Sequence, residues 1–449
     1  MLYNQSASSQ FFENYVLQKT DTMENFGGIN WSVFAALVVV WIITALALSK
    51  GVKLIGKLAY FTATVPYIII AILFFRSITL PGARKGLDFY LLKINFNRIF
   101  VFQSWQKAAT QVCYSLAIGF GGLLTLSSHN PKSHNCLRDA LILTCADGFM
   151  SIFGGTAVFS VLGFMATQQK KEIDQVIRSG TGLAFIAYPE AMNQMPYVPW
   201  LWALLFFVML FTLGVSSQFG LAEVMCTAIC DQFPKLRKRM SLVVAAVCFM
   251  LFLGGVVMTT RAGIFYFKIF NDYSASFALC IIILLEIILV CYIYGIRNYI
   301  RDLASMFGYP KNICGKILGH TGIYFRIIWC FIAPICISVL LVFMLIDQSG
   351  NVPVYGKGQD QYIFPSWSMA YGWILSVLPL IAIPVTLIAN IIHLRIQNKP
   401  LKNLAISTFK NADLEESSSR SSAENSIELP LTSSNLSNKN SATKALEDR

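Results

Sequence analysis

Thr144, Asp147 and Ser151 stand three and four residues apart inside an apolar run, so a helix through them carries two hydroxyls and a carboxylate on one face. A carboxylate within a membrane span is expensive and marks a functional position by default, and no Lys or Arg lies deep in the apolar runs to neutralise it. Oxygen donors of this kind suit hard alkali cations. A structural pairing with a buried base is the alternative. Upstream, Gln111 and Ser115 are four apart and share a helical face, after which Gly119, Gly121 and Gly122 remove the side chains that favour helix. A helix broken there would free carbonyls and amides that can bind ions, which is tolerated only where protein or a water-filled cavity supplies partners. The same glycines would also permit close helix packing. A third polar group, Ser216, Ser217 and Gln218, sits in the stretch LGVSSQFG that starts at Leu213. Its hydroxyls either bond back to carbonyls of their own helix or face a ligand. Glu286 reads as a second buried carboxylate and Glu223 follows the serine cluster by about two turns, both as packing or polar-network positions.

The elements that position these groups are membrane spans. The chain is 55% hydrophobic and 13% charged, with a mean hydropathy of +0.59, which excludes an ordinary soluble domain and predicts an all-α polytopic membrane protein. Nine spans are expected, at about residues 31–48, 56–75, 102–127, 139–166, 199–228, 241–258, 274–294, 322–346 and 368–392. The net charge of +12 is scattered through the connections and not gathered on one face, so nucleic acid is not an expected partner. Most of the 11 cysteines lie in apolar runs without a CxxC spacing and read as small core residues.

Short basic connections, such as Lys235, Arg237, Lys238 and Arg239, belong in the cytosol. This places residues 1–30 outside, as an extracellular loop remnant, with residues 31–392 as the transmembrane domain and 393–449 as a cytosolic, largely disordered Ser- and Asn-rich tail. Asn4 opens an Asn-Gln-Ser glycosylation triplet, usable if that segment is outside. The first residues lack the pattern of a signal peptide, so an external start predicts further spans upstream.

The segments NWSVFAALVVVWI, GKLAYFTATVPYIII with ITLPGA after it, WQKAATQVCYSLAIGFGGLL, DALILTCADGFMSIFGG, TGLAFIAYPEAM, MLFTLGVSSQFG and YGIRNYIRDLASMFG, in this order, resemble the sodium-dependent neurotransmitter symporter family. They resemble its fourth to tenth spans, and two later runs fit its eleventh and twelfth. The resemblance implies a LeuT-like inverted-repeat transporter fold with broken helices. It also implies sodium-coupled, chloride-dependent symport of an amino acid or amine across the plasma membrane by alternating access, and no enzymatic activity.

By the same resemblance, Tyr114, Ser115, Ala117, Phe120, Ser217 and Gln218 line the substrate site. Ser115 and Asp147 belong to one sodium site, and the Leu213 carbonyl with Ser216 and Ser217 to the other. Gln111, Ser115 and Ser151 match chloride ligands. Asp147 stands where the family usually has Asn, so it is expected to bind sodium more strongly or to take up a proton instead. The family's acidic gating position falls near Asn271 and Asp272. The first three family spans, which complete both ion sites, have no counterpart among the resembling segments. The rival reading is therefore a truncated, transport-incompetent isoform associating with full-length subunits. Serine at position 216, where monoamine and GABA carriers have Asp, points towards amino acids. Further expected partners are membrane lipid and other copies of the chain in a homo-oligomer.

Overall fold

A hydrocarbon core of ~30 Å asks for about 20 apolar residues in helix, and this length scale governs most elements of the chain. The computed structural model describes residues 6–49, 52–93, 95–131, 133–176, 180–274, 277–308, 310, 312–350, 353–356 and 361–397. The acceptor Asn4 and nearly all of the expected tail lie outside the described residues. The first long helix, α1 (Trp31–Ser49), contains no charged residue. Asn30 caps it, its Oδ1 accepting from the Ser32 and Val33 amides at 3.2 and 3.4 Å while its Nδ2 donates to the Val16 and Leu17 carbonyls at 2.8 and 3.1 Å. α2 (Val52–Ile78) holds Pro66 within it and is followed by a short helix, Ala83–Leu87.

Next come α3 (Phe102–Ser115) and α4 (Gly122–Ser128), then α5 (Cys136–Gln168), capped by Asn135 Oδ1 accepting from the Arg138 amide at 3.1 Å. A π-helical turn, Leu183–Ala187, leads into α6 (Tyr188–Asn193), and together they form a cover that precedes α7 (Pro199–Gln232). α8 (Met240–Val256), α9 (Gly263–Ser274) and α10 (Phe277–Ile288) follow, the last running through the π-helical turn Leu289–Gly295 into α11 (Ile296–Phe307). α12 (Ala333–Gly350) and α13 (Ser366–Ile396) are the last two long helices among the described residues.

Among the described residues eight helical stretches are long and apolar enough to cross a membrane. The expected span 102–127 is not one of them, because it divides into 14-residue α3 and 7-residue α4, neither long enough to cross alone. The all-α expectation holds, with one short hairpin added to it. Between α12 and α13, β1 (Val354–Tyr355) pairs antiparallel with β2 (Tyr362–Ile363). The hairpin persists because Tyr355 and Tyr362 pack on the ring of Phe265 in α9, at centroid distances of 5.6 and 4.6 Å.

Residues up to Ala382 form one compact unit, and a second begins at Ile383, whose described part is the end of α13. Within the first unit the largest core joins α2, α5, α6 and α7 through residues such as Leu73, Phe164, Met192 and Phe206. A second core joins α1, α7 and α8 through Leu48, Ala222, Cys226 and Val244. Outward-facing Ile42, Leu46, Ile374 and Leu378 give the apolar exterior that lipid requires.

The short helix Ala83–Leu87 crosses α5 where Gly86 meets Gly163, so closely that a Cβ on Gly86 would collide with the Phe159 carbonyl of α5. Gly86→Ala is therefore expected to destabilise the chain by ~1–3 kcal/mol, the usual range for overpacking, and a lower melting temperature in detergent is the readout.

Candidate functional site

The break between α3 and α4 follows from backbone conformation. Ala117, Gly119 and Gly121 have φ of +49°, +80° and +75°, all in the left-handed region that a right-handed helix cannot continue through. α3 closes with the Ala117 amide donating to the Tyr114 carbonyl at 3.1 Å and the Ile118 amide reaching back five residues to the Cys113 carbonyl at 3.0 Å. α4 restarts with the Thr125 amide on the Gly121 carbonyl at 2.9 Å. In between, among the described residues, the carbonyls of Ser115, Leu116, Ile118 and Gly119 accept no backbone hydrogen bond. The freed acceptors are those a broken helix offers to ions and polar ligands. Of the two readings left open by the glycines, the break is the one realised at Gly119 and Gly121, and close packing accompanies it, since Gly119 lies against Leu279 and Ile283 of α10.

Ser115, at the end of α3, donates its hydroxyl hydrogen bond to Asp147 Oδ1 on α5. The two residues expected at one cation site are thus in contact although 32 positions apart in sequence. Thr144, one turn before Asp147, turns its hydroxyl back to the Ala140 carbonyl at 2.7 Å. Gln111 and Ser151, placed on the same two helices, hold no side-chain hydrogen bond among the described residues. Tyr114 and Phe120 meet edge to face across the break, with ring centroids 6.1 Å apart and planes at 86°. The face is open: Tyr114 is 55% exposed.

The second cluster lies within one turn of α7. Ser216 and Ser217 both donate to the Leu213 carbonyl, at 2.9 and 3.1 Å, so three oxygens converge there. This is the back-bonding that serines commonly make inside helices. It also leaves the hydroxyl lone pairs for a cation, because each hydroxyl brings one donor and two acceptor positions. Gln218 is half-buried beside them. The two clusters come from different helices, and α4 packs on α7, with Gly121 just before it facing Val224. Both donor sets consist of hard oxygen atoms, which fits an alkali cation better than a transition metal.

Four further groups were less legible. Glu223 is 1% exposed; its Oε1 accepts from Thr227 Oγ1 at 3.3 Å, and its Oε2 has no partner among the described residues. Glu286, expected to be buried, is instead exposed, because it lies on a face of α10 that no other element covers among the described residues. Asp272 is held by Lys268 of its own helix at 2.8 Å and also accepts from the neighbouring Asn271 side chain at 3.3 Å. That i,i+4 pair occupies the expected gating region, and the lysine four positions upstream was its signal. A hydrogen bond of 2.5 Å between His134 Nε2, in the connection before α5, and Asp139 Oδ2, in its first turn, had no signal beyond its spacing of five.

Eight bilayer-length helical stretches among the described residues, with oxygen clusters on α5 and α7 and a broken helix beside them, define a multi-pass membrane protein. The model of the sodium:neurotransmitter symporter family matches residues 1–394, and the chain belongs to that family. It is 39% identical over 390 residues to the sodium-dependent transporter snf-5 of Caenorhabditis elegans, covering 87% of this chain and 53% of that protein. It is 38% identical to the sodium- and chloride-dependent neutral and basic amino acid transporter B(0+) of Mus musculus, covering 87% of this chain and 59% of the relative. Against the sodium- and chloride-dependent glycine transporter 2 of Xenopus laevis the identity is 36%, over 85% of this chain and 46% of the relative. The chain spans about half the length of the curated relatives it matches.

Proposed function

We propose that the chain takes part in sodium-coupled, chloride-dependent symport of a small amino acid across the plasma membrane. The observation that carries this reading is the Ser115–Asp147 contact, which fastens the broken helix to α5 through two hard-oxygen donors. One sodium is held there, and a second at the Leu213 carbonyl with Ser216 and Ser217. Chloride lies against Gln111, Ser115 and Ser151. The substrate's polar groups meet the freed carbonyls of the break, while Tyr114, Ala117, Phe120, Ser217 and Gln218 shape the surrounding wall. Sodium entry down its gradient stabilises the broken helix in its substrate-binding conformation, and alternating access follows from rocking around that site. Two of the relatives are named for amino acid and glycine transport, which supports an amino acid over a monoamine. Residues 1–30 and Asn4 face outside and 393–449 the cytosol.

Cells expressing the full 449-residue chain are expected to accumulate labelled neutral amino acids only when sodium and chloride are both present. A chain that reaches the plasma membrane and accumulates none would overturn the reading for this protein. The double variant Ser216→Ala with Ser217→Ala is expected to lower apparent sodium affinity roughly tenfold, since removing hydrogen-bonding groups that hold a charge costs ~1.5–3 kcal/mol. Its melting temperature should remain near that of the native chain, because each hydroxyl bonds only within its own helix.

A further inference from the structure

Two π-helical turns meet in the first unit, and each carries a cysteine. Cys291 lies in the turn Leu289–Gly295, between α10 and α11. Cys330 lies in the turn Ile328–Ile332, directly ahead of α12. A π-helical turn fits one extra residue into a helix, and such turns concentrate at functional sites. Arg297 follows Cys291 by six residues and Arg326 precedes Cys330 by four, so both thiols lie near charged ends of their apolar runs.

Consecutive donors on one turn meet consecutive acceptors on the other, which fixes their register. The Cys291 thiol donates to the Trp329 carbonyl at 3.5 Å, and the Tyr292 hydroxyl donates to the Cys330 carbonyl. Aromatic packing holds the same joint: the Trp329 ring meets Tyr299 of α11 edge to face at a centroid distance of 5.5 Å, and Phe325 at 5.3 Å. In this register the thiols of Cys291 and Cys330 come within hydrogen-bonding reach of each other, although they belong to different helical stretches. Both are free thiols. They differ in access, since Cys291 is 6% exposed and Cys330 only half-buried.

We propose that Cys291 and Cys330 are a redox modification site, a dithiol that a peroxide converts to a disulfide joining the two turns. The more accessible Cys330 gives up its proton and its sulfur attacks one peroxide oxygen. The O–O bond breaks, Cys330 becomes a sulfenic acid, and the other oxygen leaves with the proton as water. The Cys291 sulfur then attacks that of Cys330, losing its proton and displacing the sulfenic oxygen as a second water. Two thiols are thereby oxidised by two electrons, and one hydrogen peroxide is reduced to two waters. The new bond ties the run through α10 and α11 to the stretch leading into α12. It acts beside Gly295, whose φ of +95° interrupts the helix just before α11. None of these residues belongs to the ion or substrate positions, so the proposal stands apart from the transport reading.

The test treats the full chain in phosphatidylcholine nanodiscs with hydrogen peroxide, alkylates the remaining thiols after denaturation and reads the digest by mass spectrometry. A peptide pair joining Cys291 to Cys330 is expected, two hydrogens lighter than the sum of its parts and released by dithiothreitol. Alkylation of these two residues should fall roughly tenfold, while that of Cys226 and Cys248, buried in the core of α1, α7 and α8, stays unchanged. Cys291→Ser should leave Cys330 as a sulfenic acid that dimedone captures, whereas Cys330→Ser should leave Cys291 reduced. Should either variant fail to fold, the linkage found in the native chain decides alone. Equal alkylation of Cys291 and Cys330 with and without peroxide, or Cys330 linked instead to Cys336 or to a second copy of the chain, would overturn the proposal.

Discussion

Asp147→Asn is expected to weaken apparent sodium affinity between tenfold and a hundredfold while leaving the chain folded and inserted. The substitution keeps an oxygen that can accept from Ser115, so the link between α3 and α5 survives in form. What it removes is a full negative charge. Two unit charges about 4 Å apart interact by ~4 kcal/mol at the effective dielectric typical near a protein surface, and the half-buried position of Asp147 leaves part of that screened. A net loss of ~1–3 kcal/mol corresponds to the stated range. Sodium titration of uptake reads the effect, and sodium-dependent thermal stabilisation of the purified chain reads it without transport, because a ligand that binds only the folded state raises its stability. Unchanged affinity in both assays would remove Asp147 from the cation site. Ser115→Ala serves as the companion: it breaks the contact but keeps the charge, so its loss of affinity should be the smaller.

The spans were legible because bilayer thickness imposes one length on every apolar run, and α1, α5, α7 and α13 begin and end within a few residues of their expected bounds. The break at Gly119 to Gly122 was legible for a different reason: three glycines in four residues are a local backbone signal that needs no partner. Spacing also predicted the oxygen clusters, since a helix places positions three and four apart on one face. The contact between Ser115 and Asp147 was implied by resemblance alone, as periodicity within one helix says nothing about which second helix will face it. The cover over α2 and α7 was marked only by the resemblance of TGLAFIAYPEAM, and nothing local told where it would dock. Arg76 reaches a carbonyl 120 residues away, and no local pattern in ITLPGA or MPYVPW encodes that meeting. The hairpin of β1 and β2 is equally dependent on a distant ring, that of Phe265. Helices set by solvent are readable from composition, whereas lids and hairpins set by single long-range contacts are not.

Gly119→Leu is expected to be the most damaging single change at the break, destabilising the chain by about 2–5 kcal/mol. Two costs combine. With φ at +80°, any L-residue other than glycine meets its own carbonyl, at ~1–2 kcal/mol. A Cβ built there would also lie 2.9 Å from both Ile283 Cγ1 and Leu279 Cδ1 of α10, closer than side chains approach, and overpacking of this kind adds ~1–3 kcal/mol. Relief would require α10 to retreat from the break or the break to rewind, and either would displace the carbonyls freed between Ser115 and Gly119. Gly122 provides the internal contrast: it starts α4, its φ is not in the left-handed region, and nothing lies within 4 Å of an added Cβ. Gly122→Ala should therefore be neutral or slightly stabilising through better helix propensity. Melting temperatures of the two variants in the same detergent check both outcomes. A Gly119→Leu chain that melts with the native protein would mean that the break relaxes freely, and the rigid framing of the ion and substrate positions by α10 would have to be abandoned.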